Sequence, residues 1–235
     1  MRPYPVAMRT APVVLVHGLG SSFEHGWRAP GWVDLLGDAG RPVIPVDLLG
    51  HGTADAPHDP AKYAQLEASI ERALPDETVD AIGFSLGALL LLRLAARTPE
   101  RFGRLVLMGV GENAFRADDS HGDLAGAFER GGDPEDVQMR LFVQLAHTAG
   151  NDPLAMSACI RRPAEPFTPA DAAKVTCPAL VIIGDRDFAG PPEPLVDALP
   201  DAQLVVLKGV DHFRTPMEFE CIDAALEFVE AVPGV

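Results

Sequence analysis

The chain has 235 residues, enough for one α/β domain, or a domain carrying an insertion, with a substantial core. Hydrophobic residues make up 47% and charged residues 23%, the proportions of an ordinary soluble globular protein. The net charge of −15, with only 19 Lys and Arg, lacks the clustered cations that phosphate backbones require, so nucleic acid is not an expected partner.

Residues 1–10 hold no apolar stretch of signal-peptide length. Residues 12–16 (PVVLV) predict a buried strand ending at His17-Gly18. A helix is expected over 32–38, stopped by Gly40, then a second strand over 41–46 leading to Asp47 and the loop Leu49-Gly50-His51-Gly52. Residues 61–74 predict a helix. Residues 79–84 predict a short strand, and 86–97, rich in Leu and Ala and ended by Pro99, a longer helix. Further strands are expected at 104–110, 179–183 (ALVII) and 203–207 (QLVVL). Short β-rich runs without polar alternation, separated by helices, indicate a parallel sheet covered on both faces. The fold class is therefore α/β, a mostly parallel central sheet flanked by helices.

One interval breaks this rhythm. Between Gly111 and Val175 no strand run occurs; helical stretches at 123–130, 136–149 and 152–160 are punctuated by Gly131-Gly132, Gly150 and Pro163. The interval is too long for a simple connection. It predicts a small helical cap at 112–174, inserted into a core formed by 1–111 and 175–235.

The densest chemical signal is Gly83-Phe84-Ser85-Leu86-Gly87, between the strand at 79–84 and the helix at 86–97. A serine hydroxyl is a poor nucleophile unless it is held out of the backbone and given a base. Two glycines would let a strand turn sharply into a helix, leaving Ser85 on a strained corner. The Leu86 amide would then lie at a helix N-terminus and donate to a developing oxyanion. Histidine is the usual base at neutral pH. Of the seven, His212 in Lys208-Gly209-Val210-Asp211-His212 follows the last strand, at the carboxyl edge where parallel sheets bind ligands. His58, His121 and His147 lie in loops or the insertion with no local signature, and nothing pairs His25, in the loop after the first strand, with a carboxylate. The orienting acid falls in Gly184-Asp185-Arg186-Asp187, where spacing leaves both Asp185 and Asp187 open.

The order Ser85, aspartate, His212 resembles that of the α/β-hydrolase superfamily. The match runs over nearly the whole chain. It includes His17-Gly18-Leu19-Gly20 as the oxyanion loop, Asp47-Leu48-Leu49-Gly50-His51-Gly52 as D-x-x-G-x-G, a G-x-x-D ending at Asp187 and a G-x-x-H ending at His212. The resemblance implies Ser85 as nucleophile, His212 as base and acid, and Asp187 rather than Asp185 as orienter. It implies Leu86 and Leu19 amides as the oxyanion hole, with Gly20 the alternative second donor, and buttressing roles for His17 and His51. It also implies a serine hydrolase acting on a small, largely apolar carboxylic ester, with no metal or organic cofactor. A thioesterase, a lactonase, a C–C bond hydrolase and a non-catalytic small-molecule receptor are the alternatives.

Candidate substrate-binding residues are apolar side chains in or beside loops at the carboxyl edge: Trp27, Phe84, Met108 and Phe115, with Phe23 and Leu86 beside them; core packing is the competing reading for each. Glu112-Asn113 could face substrate or cap a helix, and Arg161-Arg162 reads as a solvated pair. Cys159, Cys177 and Cys221 show no metal spacing and read as buried thiols in a reducing compartment. No run approaches the ~20 apolar residues of a membrane span. A cytoplasmic protein with a small-molecule, ester-like partner is expected.

Overall fold

The computed structural model describes residues 9–116, 123–131 and 135–231. Six parallel strands form one sheet in the order β2-β1-β3-β4-β5-β6: β1 Val13–Val16, β2 Val43–Val46, β3 Val79–Phe84, β4 Phe102–Met108, β5 Ala179–Gly184 and β6 Ala202–Leu207. The sheet is wholly parallel, where a mostly parallel one was expected. Strands β1 and β5 are buried along their whole length and β3 over all but its last residue, as their unbroken apolar runs require. The edge strands β2 and β6 are the partly exposed ones.

Helices cover both faces. One core joins alternate residues of β1, β3, β4 and β5 to α2 (Ala68–Glu71), α3 (Leu86–Arg97), α7 (Pro169–Ala172) and α8 (Glu193–Ala198). The opposite core joins the intervening residues to α1 (Trp32–Asp38), to α9 (Phe219–Phe228) and to Trp27. Cys159, Cys177 and Cys221 are buried thiols, and burial pushes those of Cys177 and Cys221 up to about 11 and about 12. At the amino end of β3, Asp80 is fully buried and bonded to both Arg9 and Arg41, at the edge of the sheet away from Ser85.

The stretch 61–74 is not one helix. Asp59 caps a 3₁₀ turn, Pro60–Tyr63, and only Ala68–Glu71 is α-helical. Tyr63 is buried beneath Gly50 and its hydroxyl donates to the Pro57 carbonyl at 2.7 Å, which ties this turn to the preceding loop. Strand β4 ends at Met108, not at residue 110, because Gly109 takes a left-handed φ of 64° and leads the chain out of the sheet.

Between β4 and β5, ahead of α7, the described residues form α4 (Leu124–Arg130), α5 (Val137–Thr148) and α6 (Pro153–Ile160). Each starts at an aspartate whose side chain accepts from the first turn: Asp123, Asp136 and Asp152. Leu124, Phe128, Phe142, Ala146 and Met156 form their own small core, with Leu19 and Phe213 packed against it. These helices thus sit over the loops that follow β1 and β6. Arg161 and Arg162 are not a free solvated pair: Arg161 binds Glu129 and the Ser157 hydroxyl, and Arg162 donates to the Cys159 carbonyl. His121 and Gly132 lie outside the described residues.

Candidate active site

Strand β3 delivers Ser85 to the carboxyl edge, and its backbone there is strained. Ser85 has φ 52° and ψ −117°, a conformation that non-glycine residues rarely adopt. The flanking glycines serve a different need from the expected one. Neither Gly83 nor Gly87 has a left-handed φ. A Cβ on Gly87 would lie 2.3 Å from the Val16 carbonyl oxygen, and one on Gly83 would lie 2.8 Å from the Ala88 amide nitrogen. They let α3 press against β1 and β3, while the serine itself bears the turn. The register Val16↔Gly83 then sets the loop after β1 beside Ser85.

Ser85 Oγ lies 2.9 Å from His212 Nε2, and His212 Nδ1 lies 2.9 Å from each oxygen of Asp187. These three residues follow β3, β6 and β5, and both the imidazole and the Asp187 carboxylate are almost wholly buried. Asp187 also accepts from the Ala189 amide at 2.8 Å. Asp185 is exposed and accepts from the Gly209 amide, so of the two aspartates it is Asp187 that the structure brings to His212. Four phenylalanines surround the imidazole, with ring centroids at 4.3 Å (Phe188), 4.9 Å (Phe84), 5.6 Å (Phe213) and 6.3 Å (Phe142). Gly109 keeps room for this arrangement, since a Cβ there would lie 3.1 Å from His212 Cε1.

Leu86 opens α3 on the carboxyl side of Ser85, so its amide has no intrahelical acceptor. In the loop after β1, the Ser21 amide donates to the Gly18 carbonyl, with Gly20 at φ 78° in the third position. Leu19 therefore sits at the corner of a tight turn. His17 and His51 lie beneath it with ring centroids 5.1 Å apart. The His17 Nδ1–H donates to the Gly18 carbonyl and Nε2 accepts from the Leu48 amide, so the ring is neutral. Burial lowers its pKa, against smaller opposing contributions from the Gly18 carbonyl and Asp47. Burial, reinforced by the charge His17 would carry, pushes His51 down to about 3. Asp47 accepts from the Phe23 and Thr53 amides and the Thr53 hydroxyl; these bonds outweigh its desolvation and hold its carboxyl below the usual range.

A cavity of about 310 Å³ opens beside this turn. Trp27 and Phe84 line it with Leu141, Leu145, Phe213 and Met217, so its wall is mainly apolar. Met108 and Phe115 do not. Met108 is fully buried inside the sheet, its sulfur 3.3 Å from the Cys221 thiol. Phe115 packs against the core on the α3 face of the sheet and stacks on Phe167. Phe23 is buried under the Arg28 guanidinium, and Leu86 belongs to the α3 core. Asn113 spends its side-chain oxygen on the Gly111 amide, and Glu112 pairs with Arg116.

Histidine 25 lines the cavity and pairs with the Ser22 hydroxyl at 3.0 Å; His58 pairs with Asp152 at 2.8 Å. Among the described residues no three His, Cys, Asp or Glu side chains converge as a metal site, and no helix is long and apolar enough to cross a membrane.

The serine at the strained strand–helix corner, the buried carboxylate and the imidazole come in that order along the chain, and residues 13–231 match a known protein family. The chain belongs to the alpha/beta hydrolase family. This alpha/beta hydrolase is 30% identical to a pimeloyl-[acyl-carrier protein] methyl ester esterase of Neisseria meningitidis, over 88% of this chain and 92% of that protein. A 2-hydroxymuconate semialdehyde hydrolase of Pseudomonas putida is 38% identical, over 42% of this chain and 36% of its own length. The fold is shared with NosK from Streptomyces actuosus (TM-score 0.72, 24% identity, 94% of this chain and 97% of that one). It is also shared with the enol-lactonase from Burkholderia xenovorans (TM-score 0.65, 24% identity, 94% and 90%).

Sequence reasoning missed three parts of the site. Phe188 follows Asp187 directly but carries no motif. Leu141 and Leu145 lie in the inserted helix α5, whose facing could not be set without the fold. Asn151, between Gly150 and Asp152, belongs to no motif, yet it is buried against the loop after β1.

Proposed function

We propose that the chain is a serine hydrolase that cleaves a small, largely apolar carboxylic ester through Ser85, His212 and Asp187. The hydrogen-bonded chain from Ser85 Oγ through His212 to Asp187, each contact 2.9 Å, is the observation that carries this reading. Ser85 Oγ attacks the ester carbonyl carbon as its proton passes to His212 Nε2. Asp187 holds the imidazole with Nδ1 toward it and offsets the imidazolium charge. The Leu86 amide and that of Leu19, or Gly20 in its place, receive the oxyanion. Collapse expels the alcohol, protonated by His212, and leaves the acyl group on Ser85. Water then loses a proton to His212 and attacks the acyl carbon, which releases the acid and restores Ser85.

The relative aligned over most of both chains acts on a methyl ester, which favours an ester over a C–C bond; the C–C hydrolase likeness spans less than half of this chain. Residues 112–174 serve as a cap: α5 supplies Leu141 and Leu145 to the cavity wall and so sets the size of the apolar group admitted. The cavity of about 310 Å³ suits a short substrate. Assaying methyl and p-nitrophenyl esters of graded acyl length against free thioesters and lactones tests this. Short and medium esters should give the highest kcat/KM. Preference for a thioester or lactone at every length would replace the reading with that alternative.

A further inference from the structure

Asn151 is a buried polar side chain of the inserted segment, and its carboxamide bonds cross to two other loops. Its Nδ2 donates to the Gly20 carbonyl at 2.8 Å and to the Ser21 carbonyl at 3.0 Å, while its Oδ1 accepts from the Gly52 amide at 2.8 Å. One carboxamide therefore joins the turn after β1 to the D-x-x-G-x-G loop. Its own backbone is held as firmly. Helix α5 ends with Gly150 in the left-handed region; the Gly150 amide donates to the His147 carbonyl and the Asn151 amide to the Ala146 carbonyl. Asp152 immediately begins α6 by capping its first turn. The side chain thus projects from a rigid corner between two helices.

We infer that Asn151 is a positioning residue for the oxyanion hole, through which the inserted helices control the rate of bond cleavage as well as access. The argument is one of peptide planes. The turn Gly18–Ser21 presents the amides of Leu19 and Gly20, and its closing bond, from the Ser21 amide to the Gly18 carbonyl, is a long 3.2 Å. That bond alone leaves the turn free to rock. The two donations from Asn151 hold the Gly20 and Ser21 carbonyls, whose peptides carry the Ser21 and Ser22 amides. The first of these peptides shares the Gly20 Cα with the peptide that carries the Gly20 amide, and so limits how far that donor can turn on the exit side. Entry is fixed separately by His17 Nδ1 on the Gly18 carbonyl. Removing the carboxamide would leave two buried carbonyls and the Gly52 amide short of a partner and release the exit side only. Misplacement of a catalytic donor by about 1 Å can cost on the order of 100-fold in rate.

This inference rests on the hydrolase reading, and the experiment separates the two. Wild type, Asn151→Ala, Asn151→Asp and Asp152→Ala are compared on one short ester for kcat, KM and melting temperature. Each is also titrated with an alkyl boronic acid, whose boron accepts Ser85 Oγ and becomes a tetrahedral anion occupying the oxyanion hole. Asp152→Ala removes a helix cap and the pair with His58 in the same segment, neither of which bonds to the turn, so it reports the effect of weakening the segment without releasing the turn. Asn151→Ala is expected to lower kcat about 10- to 100-fold with KM within about 3-fold, and to weaken boronate binding by a similar factor. Asn151→Asp keeps an acceptor for Gly52 but faces two carbonyls with a carboxylate, so it should be no better than Ala. Asp152→Ala should keep wild-type kcat despite a comparable fall in melting temperature. If Asn151→Ala loses no more kcat than Asp152→Ala, or loses kcat with unchanged boronate affinity, the inference is overturned while the hydrolase reading stands. If wild type neither turns over esters nor binds the boronate, the reading itself fails.

Discussion

Ser85 carries the backbone strain of the elbow itself, with φ 52°. Such strain amounts to about 1–3 kcal/mol in comparable cases. Ser85→Ala should abolish ester hydrolysis and keep the strain, so its melting temperature should stay near that of wild type. Glycine elsewhere in a regular element would be about 0.5–1 kcal/mol less stable than alanine. At this position Ser85→Gly should melt at or above Ser85→Ala, and thermal denaturation of the pair checks it. A glycine variant clearly below the alanine one would show that the corner is unstrained. The acid is the second residue-scale test. Asp187→Asn should lower kcat by up to ~10⁴, the cost of losing the orienting carboxylate in a comparable triad. Asp185→Asn should cost under about 3-fold, because that side chain is solvent-facing and serves only the Gly209 amide. The reverse ranking would transfer the orienting role to Asp185. The triad residues were legible because the family's motifs are short and local, each tied to a strand end. Met108 and Phe115 misled because any apolar residue near a strand end fits a pocket on paper, whereas β4 turns Met108 into the core beside Cys221.

At the scale of elements, the three inserted helices were legible in outline because each begins at an aspartate that caps it and is set off by glycine or proline. Which side chains of α5 meet the cavity was not, since that depends on how the helix is rotated against loops more than 100 residues away. Phe128 is 1% exposed inside the helices' own core, and Phe142 is wedged among Phe188, Phe213 and His212. Leu141, 41% exposed, lines the cavity instead. Phe128→Ala should therefore cost about 3–5 kcal/mol of stability with the acyl-length profile of the surviving activity unmoved. Leu141→Ala should move the preferred ester toward longer chains, and Leu141→Trp toward shorter ones, with melting temperature nearly constant. Profiles measured on p-nitrophenyl esters beside thermal melts decide it. An unmoved profile for both Leu141 variants would remove α5 from substrate selection.

Across the whole molecule, the parallel sheet and the places of its six strands were readable from short β-rich runs, most plainly for the inner strands, since a strand buried on both faces leaves no alternation to misread. The long-range polar ties were not. The Asp80 network and the Asn151 bridge join segments with no shared local pattern. Acid stability is a property of this scale. His17 and His51 are buried and neutral, with folded pKa values below the ordinary ~6.5, about 3 for His51. The unfolded chain therefore binds more protons than the folded one between those limits, so stability is complete above about pH 6.5 and is lost as pH falls toward 3. Each group contributes at most about 1.4 kcal/mol per pH unit. Urea titrations from pH 7.5 to 4 should show His51→Gln with a shallower pH slope than wild type; equal slopes would contradict the neutral, buried assignment.

The most direct test of Ser85 as an activated nucleophile is covalent labelling of the native protein with a fluorophosphonate, followed by mass spectrometry of the modified peptide and assay of residual ester hydrolysis. One phosphonyl group on Ser85, with hydrolysis lost in proportion to labelling, is the predicted result. Full hydrolytic activity with Ser85 unmodified, or modification of another residue in step with the loss of activity, would contradict it.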